Sequence, residues 1–167
     1  APKEALGGKD PAFQATCCCC IKRRQFAGHV SDWRPVADTA TLRKQDGSIL
    51  LPQQHPADEG KKTLVLDLDE TLVHCSVEAT AAADLVFPVH FNGVEYQVHV
   101  SKRPHLKTFL ERVAAKFEVV VFTASQKVYA DKILDIIDPK KELIKYRLFR
   151  DSCLLVEGNY LKDLNVL

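Results

Sequence analysis

The sequence predicts an α/β fold with a central, mostly parallel sheet, and the evidence lies after residue 60. Strand-like and helix-like stretches alternate from Lys61 onward, which is typical of layered α/β domains. Two apolar runs, at residues 63–68 and 118–122, lack the polar alternation of half-exposed strands and therefore indicate buried parallel strands. A hairpin and a helix are predicted between these runs, and a helical crossover is the usual connection between parallel strands.

The predicted hairpin rests on the pair Asn92 and Gly93, which is a strong signal for a tight turn between alternating strands. Pairing across this turn would place seven apolar side chains on one face: Phe87, Val89, Phe91, Val94, Tyr96, Val98 and Val100. The opposite face would be polar and carry four side chains: His90, Glu95, Gln97 and His99. The hairpin is therefore expected to cover the domain with its apolar face.

Two helices are predicted around the second apolar run. Pro104 suits the first turn of the first helix, and the apolar residues that follow recur at helical spacing: Leu106, Phe109, Leu110, Val113 and Phe117. Ser125 is the expected N-cap of the second helix, which would continue through Tyr129 and stop at Pro139.

Residues 1–60 are predicted to be a disordered or linker tail, with the folded domain in residues 61–167. Five of the eight prolines and five of the seven glycines fall in this tail, where apolar residues follow no period. Four consecutive cysteines at positions 17–20 lack the spacing of a disulfide framework or a zinc site. Because basic residues follow them, reversible palmitoylation is one hypothesis, and an unmodified tail is the other. Cys75 and Cys153 stand alone and are expected to be buried structural thiols.

The composition excludes several classes of protein. A chain of 167 residues that is 46% hydrophobic and 27% charged has the composition of a soluble globular domain. The net charge of +1 gives no global field for binding nucleic acid directly. No apolar run approaches the ~20 residues that span a bilayer. We expect a monomer in the nucleus or cytoplasm, or at the plasma membrane if the cysteines carry lipid. The chain begins at Ala1 and lacks methionine, so we expect a segment of a longer protein.

Asp67 and Asp69 come at the end of the first apolar run, and Thr123 follows the second. In open α/β sheets, ligands bind beyond the carboxyl ends of the strands, so these three side chains are expected to meet there. Two close carboxylates repel each other unless a cation lies between them, and Mg²⁺ prefers such oxygen ligands. An aspartate can also attack phosphorus, while a second carboxylate moves a proton and Lys162 neutralises charge. The pattern therefore favours phosphoryl chemistry with magnesium.

The resemblance to a known family rests on four motifs that occur in order: DLDETLVH, FTAS, RLFRDSC and GNYLKDLNVL. Together they resemble the small phosphatases that act on the carboxy-terminal domain of RNA polymerase II, and the related small-phosphatase-like proteins, within the haloacid dehalogenase superfamily. The resemblance covers residues 48–167 and implies a Rossmann-like fold with a β-hairpin insert. It implies a magnesium-dependent protein serine/threonine phosphatase with an aspartyl-phosphate intermediate, whose substrate is that polymerase domain or another phosphoprotein.

The resemblance also implies the role of each site residue. Asp67 would be the nucleophile, and Asp69 the general acid that protonates the leaving oxygen and later the base that activates water. Asp67 and the backbone carbonyl of Asp69 would bind magnesium. Thr123 would be the phosphate-binding hydroxyl, and Lys162 the lysine of the third motif.

Substrate recognition is implied at a further set of positions. Arg150 would contact the substrate phosphate, and Thr71 would support the loop that carries the aspartates. The wall that accepts a substrate proline would be formed by four side chains: Val77, Val89, Phe91 and Val98. Gln126 stands where the best-known members have leucine, which makes that wall less apolar here.

The family's fourth motif is an acidic loop that completes the magnesium site. By resemblance it should follow about twenty residues after Lys162, whereas the chain stops at Leu167. We therefore expect a fold truncated before its last elements and a fragment with little or no activity, while the full-length protein is expected to be an enzyme.

Two other classes of function remain open at this point. One is an inactive phosphatase-like module that binds phosphopeptides or serves as a translocase subunit, although the intact pair of aspartates argues against it. The other is a phosphatase or phosphotransferase for small metabolites. Such enzymes usually carry a large cap domain, whereas only about thirty residues lie between the first motif and Pro104. An open site of this kind suits a protein substrate.

Overall fold

A three-stranded parallel sheet forms the centre of the structure, a computed structural model that describes residues 51–80, 83–156 and 158–167. Its elements follow in this order: β1 (Lys62–Leu66), β2 (Val73–Ser76), β3 (Leu85–Phe91), β4 (Val94–Lys102), α1 (Leu106–Ala114), β5 (Phe117–Phe122), α2 (Lys127–Ile137), β6 (Tyr146–Leu148), β7 (Leu154–Val156) and β8 (Asn159–Leu161). Short 3₁₀ turns lie at Pro56–Asp58, Arg150–Ser152 and Leu164–Val166. The cysteine cluster at positions 17–20 lies outside the described residues.

The central sheet has the strand order β1-β5-β6, and both pairs of strands are parallel. Strand β5 is buried from Glu118 to Phe122, as its continuous apolar sequence predicted. Strand β1 was predicted to be buried over residues 63–68, but it ends at Leu66, and its residues are exposed or only partly buried because it lies at the edge of the described sheet. The backbone leaves the ladder there, and the side chain of Asp67 accepts a hydrogen bond from the backbone N–H of Leu68 at 2.8 Å.

The predicted hairpin belongs to a second, antiparallel sheet with the order β2-β4-β3. Its register is confirmed, since Phe91 lies opposite Val94, and Asn92 and Gly93 both have positive φ, as a type I′ turn requires. Val94 lies at the turn and is 47% exposed, although it was predicted on the apolar face. Strand β2 was not predicted, and it pairs with β4 from Val73 to Ser76.

The two predicted helices are present, with corrected ends. Helix α1 begins at Leu106, and Phe117 is the first residue of β5 rather than part of this helix. The N-cap of α2 is Gln126 and not Ser125, whose hydroxyl is bonded elsewhere. In the part of the chain that the structure describes, no helix has the length and apolar character needed to cross a membrane.

The turn after α2 is organised by a buried carboxylate. Asp138, which is 2% exposed, accepts hydrogen bonds from three backbone N–H groups at 2.9–3.1 Å: those of Glu142, Leu143 and Ile144. Charge-assisted bonds of this kind satisfy backbone donors that the turn would otherwise bury without partners. Asp138 therefore directs the chain from α2 into β6.

Alternate residues of β5 contribute to two hydrophobic clusters. Val119 and Val121 belong to the larger cluster, which includes residues of both helices and of the antiparallel sheet. Val120 and Phe122 belong to the smaller cluster, which also contains Cys153. Cys75 and Cys153 are buried, as predicted.

The predicted boundary at residue 60 lies inside a segment that packs on the domain. Leu51 contacts the smaller hydrophobic cluster, and the side chain of Gln54 donates to the carbonyl of Lys61 at 2.9 Å. Asp58 forms ion pairs with Lys61 at 3.0 Å and with Lys145 at 2.8 Å. Residues 51–60 therefore make tertiary contacts with the domain.

Candidate active site

Asp67 lies at the carboxyl end of β1 and is paired with a lysine from the far end of the chain. Its Oδ1 accepts from the backbone N–H of Leu68, and its Oδ2 lies 2.6 Å from Nζ of Lys162. Lys162 follows β8, so the β7–β8 hairpin brings it to the sheet edge. The side chain of Asp67 is 43% exposed, which leaves this carboxylate accessible to a ligand.

Asp69 lies two residues further on, in the opposite environment. The residue is 6% exposed, and both oxygens of its carboxyl group accept hydrogen bonds from hydroxyl groups. Tyr129 donates to Oδ1 at 2.7 Å, Ser125 donates to Oδ2 at 2.7 Å, and Thr123 donates to Oδ2 at 3.3 Å. All three donors are buried.

The environment of Asp69 changes its acidity. Burial raises the pKa of its carboxyl group above the ordinary value, and the nearby charge of Asp67 raises it further, although the three hydroxyl donors oppose this shift. Burial, followed by the charge of Asp69, also raises the pKa of the Tyr129 phenol. The phenol therefore stays protonated and acts as a donor, and the carboxyl of Asp69 takes up a proton more readily than an exposed aspartate does.

The loop after Asp69 is held by backbone hydrogen bonds. The carbonyl of Leu68 accepts from the N–H groups of Leu72 at 2.9 Å and Thr71 at 3.4 Å, and the N–H of Glu70 donates to the carbonyl of Val73 at 2.9 Å. Glu70 has a φ of 59°, which lets the chain reverse directly after Asp69. The loop thus fixes both aspartates at the sheet edge. Thr71 takes part through its backbone, and a role for its side chain stays a prediction.

The segment after β5 faces this loop. The N–H of Ser125 donates to the hydroxyl oxygen of Thr123 at 3.1 Å, which orients that hydroxyl toward Asp69. Arg150 lies beside the same segment, where its Nε donates to the carbonyl of Ala124 at 2.6 Å. Its guanidinium also stacks on the ring of Tyr160, 4.6 Å from the ring centroid. The elements that follow β5, β6 and β8 therefore converge on one edge.

Comparison with known proteins identifies the family. A family model described as NLI interacting factor-like phosphatase matches residues 62–167 of the chain. The chain belongs to this family. The predicted resemblance to the small carboxy-terminal-domain phosphatases, within the haloacid dehalogenase superfamily, is therefore confirmed.

Curated relatives in this family are similar over the same region. The chain is 60% identical over 105 residues to CTD small phosphatase-like protein 3 of Caenorhabditis elegans, which covers 63% of this chain and 37% of that protein. It is 58% identical over 118 residues to CTD small phosphatase-like protein 2 of Dictyostelium discoideum, which covers 71% of this chain and 20% of that protein. The chain thus spans only a minor part of these relatives.

A solved structure supports the fold. The fission yeast RNA polymerase II CTD phosphatase Fcp1, bound to beryllium fluoride, superposes with a TM-score of 0.52 and 24% identity. The match covers 58% of this chain and 32% of that chain. At this identity the similarity concerns the fold alone, and it confirms the predicted α/β class with a central parallel sheet.

The phosphatase motifs of this family are brought together as their order predicted. Asp67, Asp69, Thr123 and Lys162 come from three separate places in the sequence and meet at one edge of the central sheet. Their chemical roles, and the contact of Arg150 with a substrate phosphate, stay predictions.

The predicted proline-binding wall is only partly accessible. Val89 and Val98 are 0% and 1% exposed within the larger cluster, whereas Val77 and Phe91 are partly buried against it. The two buried valines would have to be uncovered before they could contact a ligand. Gln126 is partly buried at the start of α2, where its carbonyl accepts from the N–H of Tyr129. Substrate contact by these residues stays a prediction.

Sequence reasoning missed Ser125 and Tyr129 as members of the site. Ser125 was assigned to a helix cap, and Tyr129 was placed in the helix that follows it, with no role in the site. The ring of Tyr129 is buried, and its hydroxyl reaches Asp69. The one available signal was the placement of two more hydroxyl residues two and six positions after Thr123.

The donor set at this edge fits a magnesium ion. Among the residues described, no group of three or more histidine, cysteine, aspartate or glutamate side chains forms a complete metal site. Asp67 offers an accessible carboxylate oxygen. The second oxygen is the backbone carbonyl of Asp69, because the β-bridge between Asp69 and Val73 uses the carbonyl of Leu68 and the N–H of Glu70 instead. Mg²⁺ commonly takes one or two protein carboxylates and keeps several waters, so these two oxygens suit it.

Proposed function

We propose that the full-length protein is a magnesium-dependent protein serine/threonine phosphatase that acts through an aspartyl-phosphate intermediate. The observation that carries this proposal is the contrast between two aspartates that are two residues apart. Asp67 is accessible and paired with Lys162, whereas Asp69 is buried and its pKa is raised. Neighbouring carboxyl groups in such different environments are typical of a nucleophile and a general acid.

In the first step, an oxygen of the Asp67 carboxylate attacks the phosphorus of a phosphoserine or phosphothreonine. A bond from this oxygen to phosphorus forms, and the bond from phosphorus to the serine or threonine oxygen breaks. The protonated carboxyl of Asp69 transfers its proton to that leaving oxygen, which departs as a neutral hydroxyl. The raised pKa of Asp69 supports this role, because it increases the protonated fraction.

In the second step, water attacks the phosphorus of the aspartyl-phosphate. The ionised carboxylate of Asp69 takes a proton from this water while the water oxygen bonds to phosphorus. The bond between phosphorus and the Asp67 oxygen breaks, which releases inorganic phosphate and restores both aspartates. One buried carboxyl group thus acts as acid and then as base.

The cationic groups around Asp67 support charge stabilisation during both steps. Nζ of Lys162, at 2.6 Å from Oδ2 of Asp67, orients the nucleophile and lies where negative charge accumulates. Asp67 and the backbone carbonyl of Asp69 would hold magnesium, which would supply further positive charge to the site. Arg150 is anchored beside Ala124 and is the candidate contact for the substrate phosphate.

A phosphoprotein is the substrate class that these features favour. Between the aspartate loop and α1, the described chain forms a sheet of three strands rather than a separate cap domain, which leaves the sheet edge open to a polypeptide. The relatives named CTD small phosphatase-like proteins support the same class. We therefore propose the RNA polymerase II carboxy-terminal domain, or another phosphoserine or phosphothreonine protein, as substrate.

The proposal is tested by assaying the full-length protein on a phosphoserine peptide with magnesium and after chelation with EDTA. Asp67→Asn keeps the size of the side chain but removes its nucleophilic oxygen, so we expect turnover to fall by at least about 10³-fold. Chelation should reduce turnover to a similar degree, and added magnesium should restore it. Acid-quenched protein should carry labelled phosphate on Asp67 in the parent and none in the variant.

The matched control is Asp84→Asn, which makes the same chemical change at a surface aspartate bonded to the backbone N–H of Lys102. It should retain the parental rate. Equal turnover by the parent and Asp67→Asn would reject the enzyme hypothesis and leave a phosphopeptide-binding module. Hydrolysis of small phosphometabolites in preference to the peptide would instead support the metabolite class.

A further inference from the structure

The carboxyl group of Asp69 is held from two opposite sides by hydroxyl groups of the α2 region. Tyr129, in the first turn of the helix, donates to Oδ1, and Ser125, just before the helix, donates to Oδ2, both at 2.7 Å. The third donor, Thr123, lies further away at 3.3 Å, and its oxygen also accepts from the N–H of Ser125. Ser125 and Tyr129 therefore make the two short hydrogen bonds.

Two donors on opposite oxygens restrict rotation of a carboxyl group. Free Asp side chains turn broadly about the bond to the carboxyl carbon. Here, turning the plane of the group would stretch both short bonds, and neither donor is free to follow, because Ser125 is 0% and Tyr129 1% exposed. Proton transfer requires the acid to lie within about 3 Å of the leaving oxygen at a suitable angle. Restricted rotation therefore affects the reaction directly.

The hydroxyl of Tyr129 has no explanation in packing alone. Its ring fills a place in the larger cluster that a phenylalanine ring would also fill. The oxygen is buried, and a buried hydroxyl is unfavourable unless it is hydrogen-bonded. Its bond to Asp69 removes this cost and defines where the carboxyl group lies. The same holds for Ser125, whose hydroxyl does not cap the helix that follows it.

We propose that Ser125 and Tyr129 are positioning residues, which hold the carboxyl group of Asp69 in the orientation for proton transfer to the leaving group. This inference rests on the proposed function. Neither residue touches the phosphate in this assignment, since both act through Asp69. Replacing either residue should therefore lower kcat/KM more for a leaving group that needs a proton than for one that does not.

The test compares Tyr129→Phe and Ser125→Ala in the full-length protein on two phosphate esters. A phosphoserine peptide releases an alkoxide and needs the general acid, whereas 2,4-dinitrophenyl phosphate releases a stable phenolate and does not. General acids contribute roughly 10²–10⁴-fold, so misorientation should lower kcat/KM for the peptide by about 10- to 100-fold. For the dinitrophenyl ester we expect a change of less than about threefold. Asp69→Asn should show the same selectivity with a larger loss.

The matched control is Tyr146→Phe, which removes a phenol oxygen from the partly buried tyrosine of β6, in the smaller cluster. It should leave both esters unaffected. All rates are measured at a temperature where circular dichroism shows each variant to be folded, so that unfolding does not contribute. Ser125→Ala removes a single oxygen and gives a second reading if Tyr129→Phe is less stable.

The outcomes separate this inference from the function on which it rests. If the parent hydrolyses neither ester in an Asp67-dependent manner, the proposed function fails and the inference falls with it. If the parent is active but both variants lose activity on the two esters equally, or lose none, the positioning role is rejected and the proposed phosphatase function stands. Selective loss on the peptide by both variants supports the role.

Discussion

Two identical side chains, Asp67 and Asp69, have different properties because of what surrounds them. The loop between Leu68 and Val73 turns one carboxylate toward Lys162 and solvent and the other into a pocket of hydroxyl groups. Burial raises the pKa of Asp69, which suits an acid, while the exposure of Asp67 suits attack on a bulky phosphate ester. The proposed division of roles between the two aspartates therefore depends on their surroundings in the fold.

Replacing Lys162 by methionine separates catalysis from stability at this site. The change keeps the aliphatic chain but removes the charge at 2.6 Å from Asp67, so we expect kcat to fall by roughly 10²-fold. The free energy of unfolding should change by less than about 1 kcal/mol, because both partners are partly exposed. Steady-state kinetics and urea denaturation measure the two effects.

Lys107→Met is the control for Lys162→Met, since Lys107 is an exposed lysine of α1 that pairs with Glu111 at 3.8 Å. It should alter neither quantity appreciably. Retention of more than half of the parental kcat by Lys162→Met would remove Lys162 from the catalytic assignment.

The motif residues of the candidate site could be predicted from the sequence, whereas its other members could not. Asp67 and Thr123 each follow a strand with an apolar sequence, and parallel strands bring such ends together. Ser125 and Tyr129 carried no comparable signal, because serine before a helix and tyrosine at helical spacing have ordinary structural explanations. Only the distances to Asp69 distinguish the two readings.

Among the elements, those with strong periodicity or special turn residues were predicted, and the short ones were not. Strand β5 and the β3–β4 hairpin follow from an apolar run and from Asn92-Gly93. Strands β6, β7 and β8 have three residues each, too few to show alternation. They exist through tertiary pairing, as in the parallel contact of β6 with Val120, Val121 and Phe122 of β5.

Among the side chains between α2 and β6, that of Asp138 should contribute most to the free energy of unfolding. Asp138→Ala leaves three backbone N–H groups without their acceptor, and each charge-assisted bond contributes about 1.5–3 kcal/mol before compensation by water. Because water can reach part of the opened turn, we expect a net loss of about 2–4 kcal/mol in the free energy of unfolding. Urea denaturation of parent and variant measures this difference.

Asp135→Ala, one turn earlier in α2, provides the comparison for Asp138→Ala. Asp135 is half exposed and pairs with Arg147 at 2.6 Å and Lys141 at 3.4 Å. Its loss should cost less than about 1 kcal/mol, as exposed ion pairs generally do. Similar losses for both variants would show that the buried backbone bonds of Asp138 are not what stabilises the turn.

Across the whole molecule, the domain extends further toward the N-terminus than composition suggested. The segment from Leu51 to Gly60 is rich in proline and polar residues, yet Asp58 connects it to Lys145 just before β6. Composition gives only the average tendency of a segment. The ion pair of Asp58 and the packing of Leu51 depend on the path of the chain in the folded protein. Cellular location and lipidation of the cysteines stay predictions.

The Asp58 contacts give the whole molecule a defined dependence on acid. Hydrogen bonds with Lys145 and then Lys61 lower the pKa of Asp58 from 3.8 to about 2, and Asp58 in turn raises the pKa of Lys145. A folded-state pKa below the unfolded value means that the stabilisation is complete above about pH 4 and is lost as pH falls through about 2. The stability of the parent should therefore decline across this interval.

Asp58→Asn removes this titration, so the free energy of unfolding should fall less steeply between pH 4 and pH 2 than in the parent. Lys145→Gln should flatten the same interval in part, because Lys61 remains at 3.0 Å from Asp58. Urea denaturation at half-unit steps of pH gives the three curves. Other carboxyl groups titrate in all three proteins, so only the differences between curves report on Asp58. Parallel curves for parent and Asp58→Asn would mean that these ion pairs do not couple the N-terminal segment to the fold.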